Sequence, residues 1–169
     1  ALKNGIAVCP ENETQIAQLL PKINLTYQRD QGNVYQLFMN GRRVGDEIRT
    51  PEITRLVSVL AAMPGVREGL VTQQRKIAEE TALVMEGRDI GTVVFPNARC
   101  KFFLTASARV RAERRLAQSN EIHSSATVES VAAEITARDT MDMQRAVSPL
   151  RQAEDAILID SSNLTLEES

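Results

Sequence analysis

The sequence predicts an α/β fold, a parallel sheet accompanied by a small antiparallel one, and three observations predict it. Ala82-Leu83-Val84-Met85, Lys101-Phe102-Phe103-Leu104 and Ala156-Ile157-Leu158-Ile159 are largely continuous apolar runs, as in strands buried on both faces. Two helical stretches, Ser107 to Ser119 and about Thr127 to Thr140, lie between the second run and the third, and strands alternating with helices imply parallel pairing. Earlier, Ile23 to Tyr27 alternates at period two, a polar segment with Gly32 comes next, and Val34 to Met39 is β-prone, which reads as an antiparallel hairpin.

The other elements are taken in chain order. Asn12 and Gln15 resemble a capping box, and Ile16, Leu19 and Leu20 give a short helix its stripe before Pro21 ends it. Asn40-Gly41 is a strong turn signal, after which Val44 to Ile48 is expected to add a third strand. Thr50 offers a capping hydroxyl ahead of Pro51, and Ile53, Leu56, Val57 and Leu60 trace a helix to about Met63. Pro64 opens another, with Val66, Leu70, Gln73 and Ile77 on one face and Arg67, Gln74 and Arg75 off it. Ser107 can cap the helix after the second apolar run.

Composition removes several classes. With 169 residues, 43% hydrophobic, 25% charged and a net charge of −2, the chain has an ordinary globular make-up rather than that of a disordered or collagen-like one. The apolar run Val57 to Met63 is far short of the roughly 20 residues of a membrane span. Cys9 and Cys100 are distant, with no Cys-x-x-Cys pair, so neither zinc nor a disulfide framework is expected, and a reducing cytoplasm is the expected setting. His123 is the sole histidine, in a polar stretch with no partner that the sequence points to as an orienting acid, so it reads as a surface residue rather than a general base. Aromatics at 4% and a charge near zero argue against a stacking platform for nucleic acid.

Ligands of parallel α/β sheets collect beyond the carboxyl ends of strands, so the residues just past each strand are the first candidates for chemistry. Directly after the first apolar run stands Glu86-Gly87-Arg88-Asp89-Ile90-Gly91-Thr92. Gly87 and Gly91 would let the backbone turn sharply or approach a ligand, and Arg88 could fork onto a phosphate. Asp89 or Glu86 could orient a Mg²⁺-bound water or accept a proton. The plain alternative is a surface turn with a local ion pair. Of the basic residues 16 are Arg and 4 are Lys, and four of the arginines, Arg109, Arg111, Arg114 and Arg115, crowd one helix; such runs are mostly solvated faces. Arg138, Asp142 and Arg145 recur at spacings of 4 and 3 and would line one side of a helix, where two arginines can clamp phosphate and the acid can hold one of them in place. Simple salt bridging along the helix is the alternative there.

Gly87-Arg88-Asp89-Ile90-Gly91-Thr92-Val93-Val94-Phe95-Pro96, then Lys101-Phe102-Phe103-Leu104-Thr105-Ala106-Ser107, and then Arg138-Asp139, Asp142 and Arg145-Ala146-Val147-Ser148-Pro149-Leu150 closely resemble bacterial cytidylate kinases. The likeness runs from the hairpin to Ile159-Asp160-Ser161, and three blocks in order are more specific than a lone glycine motif. It implies a P-loop nucleoside monophosphate kinase fold, with helices on both faces of the parallel sheet and the antiparallel insert forming a CMP-binding domain. It also implies transfer of a phosphoryl group from ATP, with Mg²⁺, to CMP or dCMP. The corresponding regions are a core helix region over 1–20, the insert and its following helices over 21–80, and the kinase core over 81–169 with a lid at about 114–146. By motif position Ser58, Arg67, Glu86, Arg88 and Asp89 fall where the family contacts CMP, with Glu86 where the family usually has Asp. Arg88, Asp89, Arg138, Asp142 and Arg145 take the catalytic positions, and Arg114 and Arg115, near the base of the lid, the ATP side. A full-length monomer without nucleic-acid or membrane partners is the expectation.

No Gly-x-x-x-x-Gly-Lys-Ser/Thr occurs in the 169 residues. In relatives this phosphate-cradling loop and two strands precede the segment that starts here, so roughly 40 residues, a βαβ-sized unit, are expected ahead of Ala1. The chain by itself is therefore expected to be inactive and to leave apolar strand edges that invite association. Two alternatives compete with the kinase: an inactive remnant that binds CMP or phosphate only, and an Arg-rich interaction scaffold, which would account for Arg109 to Arg115 but not for the Arg88-Asp89 segment.

Overall fold

The computed structural model describes residues 1–29, 32, 34–48, 50–80, 82–118 and 126–169; His123 lies outside them. The chain forms two compact units, Ala1–Val84 and Met85–Ser169. Among the described residues no helix is long and apolar enough to cross a membrane.

In the first unit α1 spans Glu13–Ala17, and no side chain caps it. The expected capping box is absent because Asn12 points backwards, its Nδ2 donating to the Ala7 carbonyl at 3.0 Å. Strands β1 (Leu25–Arg29) and β2 (Tyr35–Met39) pair antiparallel, Leu25 opposite Met39 and Arg29 opposite Tyr35. The third strand begins earlier than Val44: β3 is Arg42–Arg43, and 46–48 is a 3₁₀ turn. The cause is the turn, since Asn40 (φ 52°) and Gly41 (φ 77°) are both left-handed, a two-residue hairpin connection that lets pairing resume at once. Helix α2 (Pro51–Ala61) is capped as expected, Thr50 Oγ1 accepting from Ile53 N at 3.2 Å, and α3 (Pro64–Glu80) comes next. Val57 leaves the expected face of α2 and is exposed, whereas Ile53, Leu56 and Leu60 are half-buried. Ile16, Leu20, Met63 and Val66 form the core, flanked by Ile6, Val8, Ile23, Leu60 and Leu70.

In the second unit β4 (Phe102–Thr105) and β5 (Ile157–Asp160) pair parallel, Phe102 beside Ile157 and Thr105 beside Asp160. Between them run α4 (Ala108–Ala117), capped by Ser107, and α5 (Val128–Gln144), with a capping box made by Thr127 and Ser130. The two helices pack against one another, and Ala112 and Val131 are buried. Residues 82–85 are not the expected strand, and Val84 is fully exposed. An apolar run becomes a strand only when a neighbour supplies the ladder, and none of the described strands pairs with it. Phe102, Leu104, Ile157 and Leu158 are all more than half exposed, so β4 and β5 are not buried on both faces as their apolar runs predict; among the described residues their sheet has only these two strands.

Candidate functional site

Asp89 starts a wide π-helical turn over Ile90–Val94. Its carbonyl accepts from Val93 N at 2.9 Å and Val94 N at 3.2 Å, and Val94 is buried beneath the turn. Such turns recur at functional sites because they reset the direction of the chain. Gly87 is needed for space rather than for a left-handed backbone, since a Cβ there would stand 2.8 Å from Ile90 Cγ1. Arg88 is thus placed half-buried, and Asp89 only 3% exposed, facing the end of α5.

Six side chains then alternate in sign. Arg111 on α4 donates to Asp139 Oδ2. Asp139 Oδ1 lies 3.3 Å from Arg88 Nη1, and Arg88 Nε lies 3.4 Å from Asp142 Oδ2. Asp142 Oδ1 lies 3.6 Å from Arg145 Nη1, and Arg145 Nη2 is 3.8 Å from Asp89 Oδ2. The order is Arg111, Asp139, Arg88, Asp142, Arg145, Asp89. The spacing of α5 places Asp139 and Asp142 on one side, and the chain folds back after the helix so that Leu150 N bonds the Asp142 carbonyl at 2.8 Å and Arg145 Nε donates to Ser148 O. Ser148 has a left-handed φ of 52°, uncommon for a non-glycine residue, just where this return is made.

The six charges cancel, and Arg114, Arg115 and Arg138 are added to them. Arg114 is engaged within the fold: it donates to Ser161 Oγ at 3.0 Å, Ser161 O at 2.6 Å and Leu164 O at 3.0 Å, tying α4 to the turn after β5. Arg138 is different. Burial is the main cause that lowers its pKa from the usual arginine value, the Arg88 cation is the next and Arg115 adds to them, while Asp142 and Asp139 oppose the shift only in part. Its buried Nε has no hydrogen-bond partner among the described residues. A desolvated cation pressed by two others is relieved by an anion, and a planar guanidinium presents paired donors to phosphate oxygens. The carboxylates offer nothing comparable to a metal. Asp89, Asp139 and Asp142 each face an arginine, and among the described residues no three His, Cys, Asp or Glu side chains converge, so this donor set does not fit a protein-held Mg²⁺.

Of the sequence-predicted residues, Arg88, Asp89, Asp142 and Arg145 meet in this chain of charges, with Arg138 and Arg115 interacting beside it. Glu86 is exposed. Ser58, half-buried on α2, and Arg67, 9% exposed on α3, belong to the first unit. Asp139 and Arg111 are members that sequence reasoning left out. Asp139 stands three residues before Asp142 and so shares its side of a helix, a usable signal, whereas nothing along the chain links Arg111 to it.

The family described as cytidylate kinase matches residues 1–169. A cytidylate kinase of Desulforamulus reducens is 53% identical over 81% of this chain and 62% of its own length. Those of Bacillus cytotoxicus and Geobacter sp. strain M21 are 41% and 44% identical, each over 99% of this chain and over 73% and 71% of their own lengths. The chain thus spans less than two thirds of the length of the Desulforamulus relative, and it belongs, along its whole 169 residues, to the cytidylate kinase family.

Proposed function

We propose that this chain forms the acceptor-binding and phosphate-clamping part of a nucleoside monophosphate kinase that phosphorylates CMP or dCMP with ATP. One observation carries the proposal: Arg88 and Arg145 are ion-paired to the buried Asp142 carboxylate while Arg138 stands beside them with its buried Nε unpartnered among the described residues. Such a site holds the phosphate of CMP and the phosphoryl group in transit. Ser58, Arg67, Glu86 and Asp89 are assigned to CMP, Arg115 and Arg114 to the ATP side.

An oxygen of the CMP phosphate attacks the γ-phosphorus in line. The new P–O bond forms as the bond from the γ-phosphorus to its bridging oxygen breaks, and the electron pair leaves with ADP. No covalent enzyme intermediate is required, because positioning and positive charge supply the acceleration. Arg88 orients the acceptor phosphate, Arg138 and Arg145 face charge spread over the transferring oxygens, and Asp89 and Asp142 keep Arg145 from collapsing onto the substrate. The segment at about 114–146, which includes α5, acts as a lid that keeps water away. Since Asp89, Asp139 and Asp142 each face an arginine, magnesium would be held by the phosphates of ATP rather than by these residues, and would supply neutralisation of their charge.

The test is thermal shift of this chain with CMP, UMP, AMP and inorganic phosphate, then ADP formation by the full-length protein. Selective stabilisation by CMP is expected. Equal shifts with all four overturn the assignment. Binding without transfer is the second possibility for the 169 residues taken alone, favoured by Arg114, whose guanidinium is engaged with Ser161 and Leu164.

A further inference from the structure

We infer that Asp139 and Arg111 are positioning residues that set the orientation of Arg88, an inference that rests on the assignment of Arg88 to the acceptor phosphate. Arg88 is held at two nitrogens by two carboxylates: Nη1 faces Asp139 at 3.3 Å and Nε faces Asp142 at 3.4 Å. Two such ion pairs, on two different nitrogens of one planar group, favour one orientation of it.

The two carboxylates are secured differently. Asp142 is itself 5% exposed and is backed by Arg145 from its own helix end. Asp139, on the same helix, is backed from another element: Arg111, on α4, takes Oδ2 while Oδ1 faces Arg88. The carboxylate is confined between two arginines, Oδ2 by the Arg111 hydrogen bond and Oδ1 by ion pairing with Arg88 alone. Among the described residues Arg111 has no other ion pair, and its buried Nε has no hydrogen-bond partner, so its engagement in the site runs through Asp139. The side chains of Asp139 and Arg111 are 16% and 31% exposed, shielded enough for the contact to outweigh its solvated alternatives. Through this link α4 fixes the aim of an arginine carried by the loop before the π turn.

The consequence is specific to the phosphate. Loss of either residue leaves Arg88 present and charged but poorly aimed, so affinity for CMP falls while affinity for cytidine, which has no phosphate, stays as it was. Calorimetric titration of the full chain with CMP and with cytidine tests this, using wild type, Asp139→Asn, Arg111→Met, Arg111→Lys and the double variant Asp139→Asn/Arg111→Met. Asp139→Asn is expected to weaken CMP about tenfold, within the range by which contacting residues couple. Arg111→Met is expected to weaken it by a smaller factor, Arg111→Lys to restore most of the loss, and the double variant to match Asp139→Asn alone. Should Asp139→Asn fail to fold, the two Arg111 variants decide. Equal losses for CMP and cytidine, a double variant weakened by the product of the single factors, or no change in any variant overturns the inference. A wild-type chain that does not distinguish CMP from cytidine overturns the phosphate assignment instead, and the inference with it.

Discussion

The two units bury different kinds of group. In the first, Ile16, Leu20, Met63 and Val66 close an apolar core, joined by Val71 nearby in the sequence of α3. In the second, the buried apolar residues are Val94, Ala112 and Val131, small or β-branched, while Asp89, Asp142 and Ser161 are buried with them. Apolar burial contributes roughly 25 cal/mol per Å² without geometric demands. A buried ion pair recovers its desolvation cost only with good geometry, and an apolar replacement of equal volume is often more stable. A unit that keeps three buried or half-buried carboxylates against three arginines is therefore organised around charge placement, and stability alone does not explain it. The first unit, with Arg67 as its buried cation, is organised as an ordinary core that carries a few polar positions.

The sharpest way to break this contrast is Arg145→Ala. Its side chain is 7% exposed and faces both Asp142 and Asp89, so its loss leaves two buried carboxylates undercompensated. Removal of one partner of a buried pair typically costs about 3–5 kcal/mol, and urea unfolding should show a loss of that order. The double variant Asp142→Leu/Arg145→Met should recover only part of that stability, because Asp89 and Arg88 each still lose a partner, and should not recover CMP binding. A loss below about 1 kcal/mol for Arg145→Ala would place the pairs with ordinary surface bridges and remove the contrast.

The matching change in the first unit is Ile16→Ala. Ile16 is 4% exposed within the core cluster, and truncation should cost roughly 3 kcal/mol through lost transfer energy and the cavity left behind. The effect on CMP should be absent, with the affinity measured well below the unfolding temperature unchanged. Equal damage to binding in Ile16→Ala and Arg145→Ala would show that the two units do not divide the labour as their buried groups suggest.

Much of this was legible along the chain, and where it was not the reasons are local. Period-two alternation and Asn40-Gly41 located the hairpin, but the prediction of Val44 to Ile48 as a strand overlooked how tightly a two-residue turn with two left-handed residues returns the chain. The run 82–85 carries the pattern of a buried strand, yet pattern only states what a segment would bury, and the ladder depends on a neighbour elsewhere. Helical caps at Thr50 and Ser107 are encoded within four residues and were readable for that reason; the start of a helix near Thr127 was expected, but its capping box with Ser130 was not. At the site, Asp142 and Arg145 were legible from a spacing of three. Arg111 was not, because its partner Asp139 lies 28 residues away on another helix.

The smallest expected effect concerns a contact that supports the site from outside it. Lys101 Nζ donates to both oxygens of Asp155, at 2.8 and 2.7 Å, and also to the Pro96 carbonyl, joining the start of β4 to the segment before β5 and to the end of the π turn. The Lys101 side chain is 7% exposed while that of Asp155 is 64% exposed, so solvent screens the pair from one side. The Lys101 hydrogen bond is the main cause that holds the Asp155 carboxyl below its ordinary value. A carboxylate whose pKa is depressed on folding stabilises the fold above its unfolded pKa and loses that contribution as pH falls through the folded value. Lys101→Met should accordingly lower the melting temperature at pH 7, and its deficit against wild type should shrink below about pH 4, where Asp155 of the unfolded chain begins to protonate. With Asp155 neutral the wild type retains a shielded ammonium against Pro96 O alone, so the deficit should close further or change sign. Melting curves of both proteins between pH 7 and pH 3 decide it: a deficit independent of pH would mean that Lys101 contributes through its packed stem and the Pro96 bond, and that the ionic organisation of the second unit stops at the six residues around Arg88.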